Sequence, residues 1–234
     1  MTKGIVYYTN NVLDEKIFLA CQAQLKRCMQ VWKFPIVSVS QMPINFGQNF
    51  VMGKLERSVL SIYKQMLKGI EECKTDVIFF AEHDVLYHPS HFDFTPERED
   101  HFYYNRNEWH VDSTSGRTVF YLHNNTTELS ALRKPLMAHI KRAIETNTDR
   151  FHTRWGVAPP RGIPPEEQRK KHYSTYMSKF PNIDIRHPDT LSRSRMTKEE
   201  FRNEHGRKGW KESDGVPSWG KTLGRFDEFL SEFL

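Results

Sequence analysis

The residues best equipped for chemistry are Glu82, His83 and Asp84, between the apolar run 77–81 and the segment Val85-Leu86-Tyr87-His88-Pro89. Two carboxylates at i and i+2 on an extended turn can point the same way. They suit a hard divalent cation, which takes oxygen ligands and keeps positions open for phosphate oxygens. A strand this apolar that ends in two acids points to a site. The plain alternative is a surface turn with its acids in water. His83, between the acids, is expected to face the other way and to pack or orient. His187 ends the strand-like run 182–187 and precedes Pro188. It would add a nitrogen ligand compatible with manganese. His88, His91 and Asp93 make a second candidate cluster. It reads as structural, because Pro89 disfavours a regular helix and metal-motif spacing is missing.

Positioning such a site takes a scaffold, and the first 81 residues describe one. Residues 5–8 are β-prone and end in Thr9, Asn10 and Asn11, a turn signal. Residues 14–32 carry an imperfect apolar stripe near the helical period. Residues 35–39 read as a second strand and 43–49 as a loop. Over 54–74 the residues Leu55, Val59, Ile62, Tyr63, Met66, Leu67 and Ile70 recur at spacings of three and four, the clearest helix of the chain. Residues 76–81 have the pattern of a buried strand. Strand, helix, strand, helix, strand implies a parallel sheet with crossover helices. Ligands gather at the carboxyl ends of strands in such sheets. Thr9-Asn10-Asn11 and Glu82-His83-Asp84 both fall there.

The later pattern is mixed. Residues 102–104 and 118–122 read as strands, 129–144 as a helix that accommodates Pro135, and 155–166 as a Pro/Gly loop. A short helix is expected over 166–177 and another over 225–234.

The Rossmann-like first half, followed by Phe79-Phe80-Ala81-Glu82-His83-Asp84, resembles the GT-A glycosyltransferases, whose signature is an Asp-x-Asp motif after a buried strand. The run Glu82 to Pro89, with the later 181–187 segment, Leu191 and Arg195, looks like family 2-like enzymes of tailed phages and bacteria. The resemblance spans roughly residues 4–220. It implies an α/β GT-A fold, with a catalytic domain at 1–187 and a segment at 188–234 completing the donor and acceptor sites. It also implies Mn²⁺ or Mg²⁺ held by Asp84, with His187 completing the shell. Glu82, in place of the usual Asp, would approach the ribose or a metal-bound water. The donor would be a nucleotide-diphosphate sugar, a UDP-sugar first. Thr9, Asn10 and Asn11 would line the nucleobase and ribose, and Arg57 and Lys54 at the start of the long helix could reach the nucleotide. An inverting enzyme would need a carboxylate base. Among Glu128, Glu166 and Glu167, Glu166 is preferred because it follows the Pro/Gly loop at a helix start.

Charge bears on the acceptor. Residues 1–117 carry 13 Lys+Arg against 14 Asp+Glu, and residues 118–234 carry 21 against 15. The basic half sets Arg150, Arg154, Arg169, Arg193 and Lys211 among Trp155, Tyr173 and Trp210. Such a surface can track a phosphate backbone and stack a base. Phage enzymes of the resembled kind glycosylate hydroxymethylated pyrimidines in DNA, which makes such DNA the favoured acceptor. A bacterial glycan would use Trp109, Trp155, Trp210 and Trp219 as platforms instead. Two other classes stand beside these: a non-catalytic nucleic-acid-binding protein, and a nucleotidyltransferase using the acids on a triphosphate. The chain has no GxxxxGK[ST], and no GxGxxG follows the first strand.

Composition sets the outer limits. At 234 residues with 38% hydrophobic content, the chain can bury a core without disulfides or metals. No apolar run approaches about 18 residues, which excludes a spanning helix. Three cysteines, Cys21, Cys28 and Cys73, without a CxxC read as reduced thiols. With no secretory signal at the start, a cytoplasmic location is expected (the host's, for a phage protein).

Overall fold

In β1 (Lys3–Thr9) alternate side chains face opposite ways, and both faces are apolar: Ile5 and Tyr7 enter one core, Val6 and Tyr8 another. A strand buried on both faces needs cover on both sides. The computed structural model describes residues 1–99, 101–145, 173–191, 195–201, 204 and 206–234, and supplies that cover.

α1 (Glu15–Trp32) starts at Asp14, whose carboxylate accepts from the amides of Lys16 and Ile17 at 3.0 and 3.1 Å. It lays Leu25, Cys28 and Met29 on the face of Ile5 and Tyr7. α2 (Val59–Glu72) starts at Ser58 and packs Tyr63, Met66 and Ile70 on the face of Val6 and Tyr8. The expected helix over 54–74 is therefore shorter, and residues 54–57 lie before its cap. α2 comes close to β1 because residue 69 is glycine: a Cβ there would sit 2.2 Å from Val6 Cγ1. Gly69→Ala is expected to destabilise the fold by about 1–3 kcal/mol through overpacking, read as a lower urea midpoint at unchanged slope.

β2 (Ile36–Ser40), β3 (Gln48–Val51) and β4 (Val77–Glu82) run parallel to β1 in the order β3-β2-β1-β4. β3 was not expected, since 43–49 reads as a loop. The sheet continues beyond β4 with β9 (Leu129–Leu132), β6 (Phe102–Asn105) and β10 (Tyr173–Tyr176), where β9 runs antiparallel to both β4 and β6. Two expectations change here. The helix expected over 129–144 is a strand to Leu132, and only then α3 (Arg133–Glu145). Leu129, Leu132, Leu136 and Ile140 mimic one helical stripe, but the slot between β4 and β6 makes the first four residues extended. Pro135 is the third residue of α3, where a missing N–H leaves no bond unmade. The helix expected over 166–177 is, in its described part, strand β10.

After β4 the chain turns at His83-Asp84 into β5 (Val85–Leu86), which belongs to a second sheet. That sheet has the order β12 (Lys211–Ser213), β8 (Thr118–Phe120), β7 (Glu108–Asp112), β11 (Asn182–Arg186), β5. Its apolar face, with Trp109, Val111, Ile183 and Ile185, meets Ile17 and Ala20 of α1 and Phe229 and Leu230 of α4 (Phe226–Ser231). β13 (Gly215–Val216) and β14 (Gly220–Lys221) form a small ribbon. The segment after residue 187 thus contributes β12 to the second sheet and α4 to its core. The class is mixed α/β, with a seven-stranded sheet flanked by helices as the GT-A resemblance implies. Among the described residues no helix is long and apolar enough to cross a membrane. Cys21, Cys28 and Cys73 are free and buried.

Candidate active site

β1 and β4 pair so that Tyr8 stands opposite Glu82, which brings both carboxyl ends to one edge. Thr9 continues from Tyr8, and its hydroxyl meets Nδ1 of His83 at 2.6 Å. The β4–β5 turn then hands the chain to the second sheet. There β5 pairs with β11, and the Ile185 amide donates to the Asp84 carbonyl at 2.9 Å. That register carries His187, just past β11, onto Asp84. Its Nε2 lies 3.2 Å from Asp84 Oδ2, across 103 residues of sequence.

Asp84 is 6% exposed, and its second carboxylate oxygen, Oδ1, is buried with no hydrogen-bond partner among the described residues. An unpartnered buried carboxylate oxygen is costly unless a ligand completes it. His83, Asp84 and His187 each offer an atom, all within 4.8 Å of one another. One oxygen and two imidazole nitrogens form a donor set that fits manganese better than magnesium. His83 was expected to face away. Instead it lines the same cavity as its two acidic neighbours, because the tight turn at 83–84 breaks the strand's alternation. Burial holds its pKa low despite the nearby Asp84.

Glu82 lines the cavity but does not belong to the three-residue group. Burial, reinforced by the charge of Asp84, raises its pKa well above the usual carboxylate range.

The cavity has a volume of about 460 Å³, in the range of small-molecule sites. Thr9, Asn10, Ser58, Ser61, Glu82 and Asp84 line it from the first sheet and α2. Asn125, Asp184, Arg186 and Arg195 line it from the second-sheet side, and Arg57 from the loop before α2. Arg57 reaches across to the Asp189 carbonyl at 2.6 Å, so it bridges the two rims. Asn11 is not on the lining. Its side-chain oxygen accepts from the Gln41 and Met42 amides at 2.9 Å each and ties the β1 loop to the β2 loop. Lys54 is exposed outside the cavity. Glu166 and Glu167 lie outside the described residues, as do Trp155, Arg150, Arg154, Arg169 and Arg193. Glu128 is fully buried, with Asn182 Nδ2 donating to both its oxygens at 2.9 and 2.8 Å, so it cannot touch an acceptor. His91 is a core residue packed among Phe79, Tyr87 and Phe92, and His88 caps a short turn. Trp109 is core, Trp210 stacks on Tyr121, and Trp219 donates to the Pro181 carbonyl.

Sequence reasoning missed Asp184, Glu108 and His110. Parallel pairing sets Asn182 beside Glu108 and Asp184 beside His110 on one face of β7 and β11. That face is polar and buried. Arg186 lies 3.3 Å from Asp184. Burial opposes the Asp184 charge, but Arg186 and His110 outweigh it and hold its pKa down near 2. The only signal was the alternation in 182–186 and 108–112, which ordinarily marks a solvated face.

No protein-family model and no curated protein sequence matches the chain. Among solved structures it is similar to a glycosyltransferase involved in glycosylation of the major capsid of PBCV-1, at 11% identity and TM-score 0.44, over 76% of this chain and 82% of that one. It is also similar to the apo-form glycosyltransferase GlyE of Streptococcus pneumoniae TIGR4, at 10% identity and TM-score 0.42, over 67% of this chain and 41% of that one. A third similarity is to the bifunctional IspDF of Campylobacter jejuni, at 11% identity and TM-score 0.40, over 64% of this chain and 46% of that one. The chain thus spans under half the length of the latter two. At these levels of likeness, function has to be read from the site's own residues.

Proposed function

We propose that the protein is a metal-dependent glycosyltransferase that moves a sugar from a nucleotide-diphosphate sugar to a hydroxyl acceptor. The observation that carries this reading is Asp84, which lines a cavity shared with Arg57, Arg186 and Arg195, keeps its buried Oδ1 unpartnered, and is met from behind by His187. Asp84 and His187, with His83, would hold the ion. A divalent cation, when bound, neutralises charge on the departing nucleotide diphosphate.

The chain's own groups divide the remaining work. Arg57 and Arg195, from opposite rims, would bind phosphate oxygens. Asn10 would meet the nucleobase or ribose. Thr9 orients His83, and Asn11 holds the loop that presents Asn10. Glu82 would hydrogen-bond to a ribose hydroxyl. Glu166 is the proposed base if the reaction inverts. The favoured acceptor is a hydroxymethylated pyrimidine in DNA, supported by the excess of six positive charges in residues 118–234.

The test is a thermal melt with UDP and UDP-glucose, each with and without Mn²⁺. Binding at about 100 times Kd stabilises by about 2.7 kcal/mol, a rise of roughly 5 °C or more at this size. A metal-dependent rise supports the reading, and hydroxymethylated DNA is then compared with a glycan panel. A rise with nucleoside triphosphates but with no nucleotide sugar tried would favour nucleotidyl transfer. No rise with any nucleotide, together with salt-dependent DNA binding, would favour the non-catalytic alternative.

A further inference from the structure

A second group of metal-ligating side chains lies behind the cavity wall. Glu108 and His110 share one face of β7, and His123 follows β8. One atom of each lies within 4.8 Å of the others. Glu108 is 1% exposed and His110 is fully buried. His123 lines the main cavity.

We propose that Glu108, His110 and His123 form a second metal site, for a borderline transition-metal ion of the zinc class, independent of Asp84 and His187. Each ligand is already oriented by a neighbour, as metal ligands usually are. His110 turns Nδ1 to Asp184 Oδ2 at 3.3 Å and to Arg186 Nε, a donor, at 3.4 Å, and His123 turns Nδ1 to the Tyr121 carbonyl at 3.3 Å. The Thr127 hydroxyl donates to Glu108 Oε1 at 3.2 Å, and Asn125 Nδ2 lies 3.3 Å from the same oxygen. These contacts leave Nε2 of both histidines buried with no hydrogen-bond partner among the described residues. His123 Nε2 lies 2.9 Å from Glu108 Oε2, an ion-pair approach without the alignment of a hydrogen bond. His110 Nε2, fully buried and without a partner among the described residues, is a cost to the fold that a metal ion would remove, and His123 and Glu108 already stand together beside it. The donor set of two nitrogens and one oxygen favours zinc over magnesium or calcium. A fourth position would open on the cavity beside His123. The ion would tie β7 to the segment after β8, and so brace the wall that carries Asn124 and Asn125.

The test uses the full chain carrying Asp84→Asn, which removes the first site's carboxylate. Co²⁺, a visible-absorbing substitute for Zn²⁺, is titrated into the metal-free protein and then displaced with Zn²⁺. One equivalent is expected to bind with visible bands that Zn²⁺ abolishes. Adding His123→Asn should weaken Co²⁺ binding by more than the roughly 10–100-fold typical of losing a second-shell partner. His123 stands at the cavity wall, so the fold is expected to survive, as circular dichroism would check. Glu108→Gln, nearly isosteric, is the second variant if that one unfolds. Absence of Co²⁺ binding by the Asp84→Asn protein would overturn the proposal. So would binding that both folded second-site variants retain undiminished.

Discussion

Replacing Asp84 with asparagine is expected to lower kcat for sugar transfer by about three orders of magnitude or more while the protein stays folded. The magnitude follows from the role: charge stabilisation built in advance for a leaving group is worth about 10²–10³ per lost hydrogen-bond donor, and a metal carries more charge than one donor. Asparagine can still meet His187 through its side-chain oxygen, so the contact between the two sheets is kept. It also removes a buried negative charge, the one that helps to push up the Glu82 pKa. The melting temperature in chelator should therefore hold or rise, the usual signature of a residue retained for function at some expense to stability. The measurement pairs single-turnover transfer with a melt in EDTA. Wild-type turnover in the variant would remove the metal assignment. Loss of activity with a collapsed melt would reduce Asp84 to a structural role.

The second large effect is on stability against pH. Glu128 is fully buried, and its pKa is pushed up to about 8, by burial first, against the opposing pull of its Asn182 hydrogen bonds. Beside it, at 3.3 Å, burial lowers the His91 pKa to about 3, so the pair is neutral at pH 7. Below pH 4.5, the ordinary glutamate value, folded and unfolded chains both hold the proton and Glu128 contributes no pH dependence. Between 4.5 and about 8 the unfolded chain releases it and the folded chain does not. Stability must therefore fall as pH rises through that window, and the fall levels off above it. The span corresponds to roughly 5 kcal/mol as a ceiling. Glu128→Gln, which mimics the neutral acid, should flatten the decline. Urea unfolding from pH 5 to 8 in chelator tests this, since chelator keeps metal ions off neighbouring Glu108. Parallel profiles for the two proteins would show that Glu128 does not carry the proton.

Local signals were enough for β1, β4 and the bodies of the two helices that cover them. The 77–81 run is apolar throughout because β4 is buried on both faces, and the acids after it stand where such a strand must end. Asp14 and Ser58 cap the helices that cover that sheet. The stripe from Val59 to Ile70 has the helical period because only one face of α2 meets β1. Where neighbours decide, local pattern misled. Residues 129–132 carry a helical spacing but extend to fill a sheet, and Gln48–Val51 pairs with β2 although its surroundings read as loop.

What the sequence by itself determined is the mixed α/β class and the placing of Glu82 and Asp84 at a strand end, since each follows from the order and period of nearby residues. Only the tertiary structure decided that His187 meets Asp84, that His83 turns inward, and that Glu108, His110, Asp184 and Arg186 form a buried polar layer. Those relations depend on how β5, β7 and β11 pair across up to about a hundred residues. Alternation along a strand says that its two faces differ, but not which face another layer will cover.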